Sequence, residues 1–154
     1  MAILGLVDII SQKIDSKSYS MGIFIDLSKA FDTKNHTILI DKFEYYGIRG
    51  VALQWFISYL SKRSQYVQIG DIFSNYLHLK NGVAQGSILR PLLFLAYIND
   101  IVNVSALVDF VMFADDTNLF ISSNSLEIKS ATANIVLAKS AKWFRLNKLI
   151  IFKC

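Results

Sequence analysis

The chain is predicted to adopt an α+β fold in which helices pack on an antiparallel sheet. Three observations carry this. Short runs rich in β-branched and aromatic residues alternate with longer stretches of helical periodicity, in the order β, α, α, β, β, α, β, β, α, β. Hydrophobic residues make up 53% of the 154 residues and charged residues 18%, which suits a packed core and excludes an intrinsically disordered chain. Seven Gly and one Pro exclude collagen-like and low-complexity architectures, and the length fits one domain.

The elements follow in chain order. Ile3, Leu6, Val7, Ile10 and Ile14 fall at helical spacing, which predicts an amphipathic N-terminal helix. Residues 21–27, MGIFIDL, read as a strand. Two helices are expected over 37–46 and 50–61, separated by Gly47 and Gly50, with Leu53, Phe56, Ile57 and Leu60 on one face. Residues 64–69 and 75–80 alternate as a hairpin across Gly70-Asp71, and Gly82 to Gly86 is a turn. A helix is expected from Ser87 to about Ile101, with Pro91 in its first turns where proline is tolerated. Residues 107–114 and 117–122 read as strands flanking Asp115-Asp116. A long amphipathic helix over 125–146, with Ser125 as N-cap, precedes a short strand over 149–152. The expected sheet combines 21–26, 107–114, 117–122 and 149–152, backed by helices 87–101 and 125–146.

The net charge of +4 is unevenly spread. Residues 1–125 hold ten Lys/Arg against eleven Asp/Glu; residues 126–154 hold six (Lys129, Lys139, Lys142, Arg145, Lys148, Lys153) against Glu127 alone. Such a basic segment suits a polyanion, with a solvated helix face as the plain alternative. The single cysteine, Cys154, leaves no intrachain disulfide or Cys-based zinc site. The apolar run Pro91–Ile98 stops at Asn99-Asp100, short of the roughly 20 residues a membrane span needs. A soluble, intracellular chain, nuclear or cytoplasmic and without a membrane partner, is expected.

The chemistry points to carboxylates. Asp26 ends the apolar strand Ile23-Phe24-Ile25, and Asp115-Asp116 lie between Met112-Phe113-Ala114 and Leu119-Phe120-Ile121. Ionised carboxylates beside apolar strands are costly, and adjacent ones repel. A hard divalent cation such as Mg²⁺ would relieve both. The plain alternatives are a polar hairpin turn over Asp115-Asp116-Thr117-Asn118 and a helix cap near Ser28 formed by Asp26.

Three segments in order, FIDLSKAFD (24–32), GVAQGSILRPLLFLAYIND (82–100) and FADD (113–116), resemble the palm of a reverse transcriptase, most closely of the non-LTR, LINE-like retrotransposon type. TKNHTILIDKFEYYGIRG (33–50), LQWFISYLSKRSQYVQ (53–68) and WFRLNKL (143–149) extend the likeness from about residue 20 to the end. The resemblance implies a partial reverse transcriptase domain over 1–154: a ferredoxin-like palm with a fingers remnant and no thumb, with motif A at 23–32, motif B at 82–91 and motif C at 113–116.

It implies RNA-templated DNA synthesis with two Mg²⁺ ions, Mn²⁺ as substitute, and an RNA template, a DNA primer and deoxynucleoside triphosphates as partners. Asp26, Asp115 and Asp116 would be catalytic and hold the metals with the Leu27 carbonyl. Leu27, Phe31, Gln85 and Gly86 would bind the nucleotide, Phe31 crowding a ribose 2′-hydroxyl, with core packing as its plain role. Lys62, Arg63, Lys142, Arg145 and Lys148 would meet nucleic-acid phosphates, or else face solvent. Asp32 has a helix-start role as alternative, and His36 reads as a packed or surface residue.

Ala84 stands where the family usually has Pro, Arg90 where it has Gly and Phe152 where it has Asn, and the motif D lysine is absent. With 25 residues before Asp26, the chain is expected to be inactive alone. Two other readings stay open: a non-catalytic palm that binds nucleic acid, and a fragment without function.

Overall fold

The computed structural model describes residues 2–15, 19–28, 30–61, 63–79, 81–83, 86–113 and 116–151. The chain divides into two compact units, Met1–Ala30 with Ile98–Cys154, and Phe31–Tyr97.

In the first unit, β1 (Tyr19–Ile25), β7 (Asp109–Phe113) and β8 (Asp116–Ser123) form an antiparallel sheet in the order β1-β8-β7. The register runs from Tyr19 opposite Ser123 to Ile25 opposite Thr117, and from Asp109 opposite Phe120 to Phe113 opposite Asp116. Gly22 faces Phe120, and the Phe24 ring meets Phe120 edge-on at 6.1 Å. A Cβ on Gly22 would come within 3.0 Å of the Phe120 ring, so glycine here makes room for the aromatic pair.

Helix α5 (Leu126–Leu146) packs on β8 and β1, and α1 (Ala2–Asp15) packs on β1 and β7. Leu119, Ile121, Val136 and Phe144 are fully buried, each burial contributing about 1.5–3 kcal/mol. Helix α5 ends in a Schellman motif: Leu149 N–H donates to Phe144 C=O at 2.9 Å and Lys148 N–H to Arg145 C=O at 3.1 Å. Lys148 takes the left-handed position, at φ 53°, that glycine usually fills. β2 (Leu27–Ser28) pairs with β9 (Ile150–Ile151) in a separate two-stranded ladder.

In the second unit, α2 (His36–Tyr45) is capped by Asn35, whose Oδ1 accepts from Ile38 N–H at 3.2 Å. It ends in the same motif as α5, with Gly47 at φ 88°. Helix α3 (Gly50–Leu60) packs on α2, the Phe43 and Phe56 rings lying 4.5 Å apart. A kinked ribbon follows, with β3 (Ser64–Gln65) on β6 (Leu77–His78) and β4 (Gln68–Ile69) on β5 (Ile72–Phe73) around Gly70-Asp71. Helix α4 (Leu89–Ile98) buries Leu93, Phe94 and Tyr97.

Several expectations are corrected. Residues 150–151 pair with 27–28 rather than with the 21–26 strand in one continuous sheet. The helix expected to Ile101 tightens to a 3₁₀ segment, Asn99–Val104. Ser125 occupies the α5 N-cap with its backbone but makes no side-chain capping bond. Lys129, counted on the basic face, is buried, its ammonium 5.6 Å from the Tyr19 ring.

Candidate functional site

The sheet register brings two of the expected acids to one end of the first unit. Ile25, the last residue of β1, faces Thr117; Asp26 follows the one and Asp116 precedes the other. Both carboxyl-bearing residues therefore flank the same rung. Asp115 lies outside the described residues. Asp26 and Asp116 are exposed, which corrects the expectation of carboxylates desolvated among apolar strands. The strands end where the acids begin, so water reaches both.

The plain alternatives fare differently. Among the described residues the first helix after Asp26 starts at His36 and is capped by Asn35, so none starts near Ser28 for Asp26 to cap. Thr117 and Asn118 lie inside the β8 ladder, Thr117 fully buried, so the polar turn does not reach them; Asp116 pairs with Phe113 at the hairpin's mouth, and Asp115 lies outside the described residues. Asp26 also borders a cavity of about 370 Å³ lined by Ile23, Phe24, Ile25, Leu137, Ser140, Ala141 and Ile151. Hard oxygen donors at one sheet end are the donor type Mg²⁺ takes. Among the described residues no three His, Cys, Asp or Glu side chains form a cluster, and the third acid of the expected trio is Asp115. The Leu27 side chain is buried and its backbone is in β2.

The second unit holds Phe31 in a tight polar and aromatic setting. Its ring lies 4.8 Å from that of Phe94, and both plain and special roles remain compatible with this packing. The Lys34 ammonium sits 4.4 Å from the Phe31 ring centre and 5.0 Å from that of Phe94. The Arg90 guanidinium lies 4.8 Å from the same Phe31 ring and 3.2 Å from Asp32 Oδ1. Asp32 therefore anchors Arg90 and starts no helix.

Lys34 is fully buried. Burial drives its ammonium down from the ordinary 10.5 to about 7; Arg90 pushes the same way, and Asp32 opposes both. Sequence reasoning missed Lys34, because a lysine three residues after Phe31 gives no sign of being internal.

The turn carrying these residues is tied to residues 81–83. Gly82 N–H donates to Lys34 C=O at 2.8 Å, and His36 Nε2 lies 2.7 Å from Gly82 O. His36 is thus a packed histidine, as read from sequence. A Cβ on Gly82, which has φ +79°, would meet Asp32 O at 2.7 Å. Gly86, also at φ +79°, is exposed, and a Cβ there would meet nothing within 4 Å among the described residues; Ala84 and Gln85 lie outside them.

Of the expected phosphate contacts, Lys142, Arg145 and Lys148 are exposed at and beyond the end of α5, with Lys139 one turn earlier. Arg63 lies over the Tyr59 ring at 5.4 Å; Lys62 is outside the described residues, as is Phe152. Among the described residues no helix is long and apolar enough to cross a membrane.

The described residues thus form a mixed α/β chain with antiparallel strands, and Asp26 and Asp116 lie at one end of its three-stranded sheet. The family model described as reverse transcriptase (RNA-dependent DNA polymerase) matches residues 3–153, and the chain belongs to that family. It is 31% identical to the probable RNA-directed DNA polymerase from transposon BS of Drosophila melanogaster over 87% of this chain and 16% of that protein. It is 26% identical to the RNA-directed DNA polymerase from mobile element jockey of Drosophila melanogaster, over 79% of this chain and 14% of that protein. It is also 26% identical to the retrovirus-related Pol polyprotein from type-1 retrotransposable element R2 of Popillia japonica, over 59% of this chain and 15% of that protein. The chain thus spans about one sixth of the length of these relatives.

Proposed function

We propose that this chain is the palm part of a retrotransposon reverse transcriptase, built as a ferredoxin-like sheet and serving RNA-templated synthesis of DNA from deoxynucleoside triphosphates. The observation that carries the reading is the placement of Asp26 and Asp116 at the two sides of one sheet rung. Asp26, Asp115 and Asp116, with the Leu27 carbonyl, would hold two Mg²⁺ ions, which supply an activated primer 3′-oxygen and charge neutralisation on the triphosphate. Mn²⁺ offers the same chemistry to the same donors.

The remaining work falls to groups that orient. The Phe31 ring crowds a ribose 2′-hydroxyl, so a deoxyribose is accepted. Gly86, without a Cβ, lets backbone come close to a nucleotide, and Gln85 hydrogen-bonds it. Lys142, Arg145 and Lys148 meet phosphates of template or primer, an attraction that weakens with salt. This chain by itself is expected to bind metal without extending a primer.

Two measurements test this. Mn²⁺ binding, read by electron paramagnetic resonance, is expected for the chain and lost in Asp26→Asn and in Asp116→Asn. Unchanged binding in both variants overturns the metal assignment. Primer extension with RNA template, DNA primer, deoxynucleotides and Mg²⁺ is expected to give no product; product abolished by Asp26→Asn would show that the palm alone suffices.

A further inference from the structure

The surroundings of Phe31 contain two cations that the proposed chemistry does not use. We infer that Lys34 and Arg90 are positioning residues, a two-cation brace that fixes the Phe31 ring and thereby sets how sharply this chain separates deoxyribose from ribose. The inference rests on the reading of Phe31 as the residue that meets the sugar.

The geometry is specific. A lysine ammonium and an arginine guanidinium both approach one ring, at 4.4 and 4.8 Å from its centre. Both distances lie within the range where a cation is attracted to an aromatic face. The Phe94 ring on α4 also packs against that of Phe31, at 4.8 Å, and shares the Lys34 ammonium at 5.0 Å. Arg90 is itself held by Asp32, the residue next to Phe31, at 3.2 Å. Lys34 is held by its own buried setting and by Phe31 C=O at 3.4 Å. A ring meant only to fill space needs no buried ammonium, and an uncharged side chain would pack there at lower desolvation cost.

The charged groups facing Lys34 are Arg90 from α4 and Asp32 from its own turn, the first opposing its protonation and the second favouring it. The Lys34 charge is therefore half present at neutral pH, and the brace loosens as pH rises through that point.

The test places 4-fluorophenylalanine at position 31 of the full chain and follows the fluorine shift from pH 5.5 to 9. The wild-type signal is expected to titrate near pH 7. Lys34→Met should flatten it, and Lys34→Arg should hold it at the low-pH value. Arg90→Met should move the midpoint upward by removing the repulsion. Lys34→Met exchanges a buried charge for an apolar chain of similar length, so folding is retained. A signal in Lys34→Met that still titrates near pH 7 overturns the brace.

The second arm measures binding of dGTP and GTP with Mg²⁺ at pH 6 and 8.5. The preference for dGTP should be roughly threefold greater at the lower pH in the wild type and equal at both in Lys34→Met. Loss of the preference in Phe31→Ala together with no effect of Lys34→Met overturns the brace alone. A preference intact in Phe31→Ala, or no triphosphate binding at all, overturns the sugar-contact reading, and the fluorine titration then decides whether the brace exists.

Discussion

The acid-bearing end of the first unit and the Phe31 turn of the second are built on opposite plans. Asp26 and Asp116 are exposed and owe their placement to backbone, because the β1–β8 register alone puts them on one rung. Phe31 owes its placement to side chains, with Lys34, Arg90 and Phe94 all within 5 Å of its ring centre. At the acids the strands are fixed and the side chains are exposed. At Phe31 the ring is enclosed by its neighbours, one of them a fully buried lysine.

That contrast can be broken in order of effect. Replacing both carboxylates (Asp26→Asn with Asp116→Asn) should lower divalent-cation affinity by more than about 100-fold. Thermal stability should stay within about 0.5 kcal/mol, since both side chains are exposed. A large fall in melting temperature would mean that the acids hold the sheet together.

Gly82→Ala should do the reverse. A Cβ 2.7 Å from Asp32 O at φ +79° should destabilise the second unit by about 2–3 kcal/mol, read by urea unfolding. Mn²⁺ binding to the first unit should survive wherever the chain remains folded.

Lys34 gives a smaller effect that depends on pH. Its folded-state value of about 7 lies below the unfolded 10.5, so between these the unfolded chain binds more protons and stability rises with pH. Below pH 7 the desolvation penalty is present in full. The slope above it should approach about 1.4 kcal/mol per pH unit. Lys34→Met should remove that slope and add about 1–3 kcal/mol at pH 6, checked by denaturant midpoints across the range.

The smallest expected change is at the helix ends. The α2 and α5 termini share one hydrogen-bonding motif, but Gly47 serves in the first and Lys148 in the second. Lys148→Gly should stabilise by about 1 kcal/mol and Gly47→Ala destabilise by a similar amount, both read as melting shifts.

The acid-bearing strands were legible because their signal is local. The apolar runs ending in Asp26 and beginning after Asp116 each report on their own strand, and the motif order supplied the family. The Ser87 helix and the 64–80 ribbon likewise lie close to their predicted places. What the sequence hid was non-local. Arg90 read only as a departure from the family's usual Gly, yet its guanidinium finds Asp32, 58 residues away. Lys34 gave no sign of burial, because its neighbours Phe94 and Arg90 come from α4. The separate pairing of 150–151 with 27–28 was also hidden, since strand order depends on contacts between distant segments. The exposure of Asp26 and Asp116 depends on where pairing stops, and a hydrophobic pattern does not fix that point to a single residue.

On the proposed metal assignment, the rung shared by Asp26 and Asp116 also makes ion affinity a gauge of strand alignment. Side chains alternate along a strand, so a slip of β1 by one residue against β8 would turn Ile23 and Ile25 outward and move Asp26 off its rung in the same step. Core packing and cation capture would then fail together, and titration with a paramagnetic ion would report misaligned molecules that a measure of total strand content would count as native.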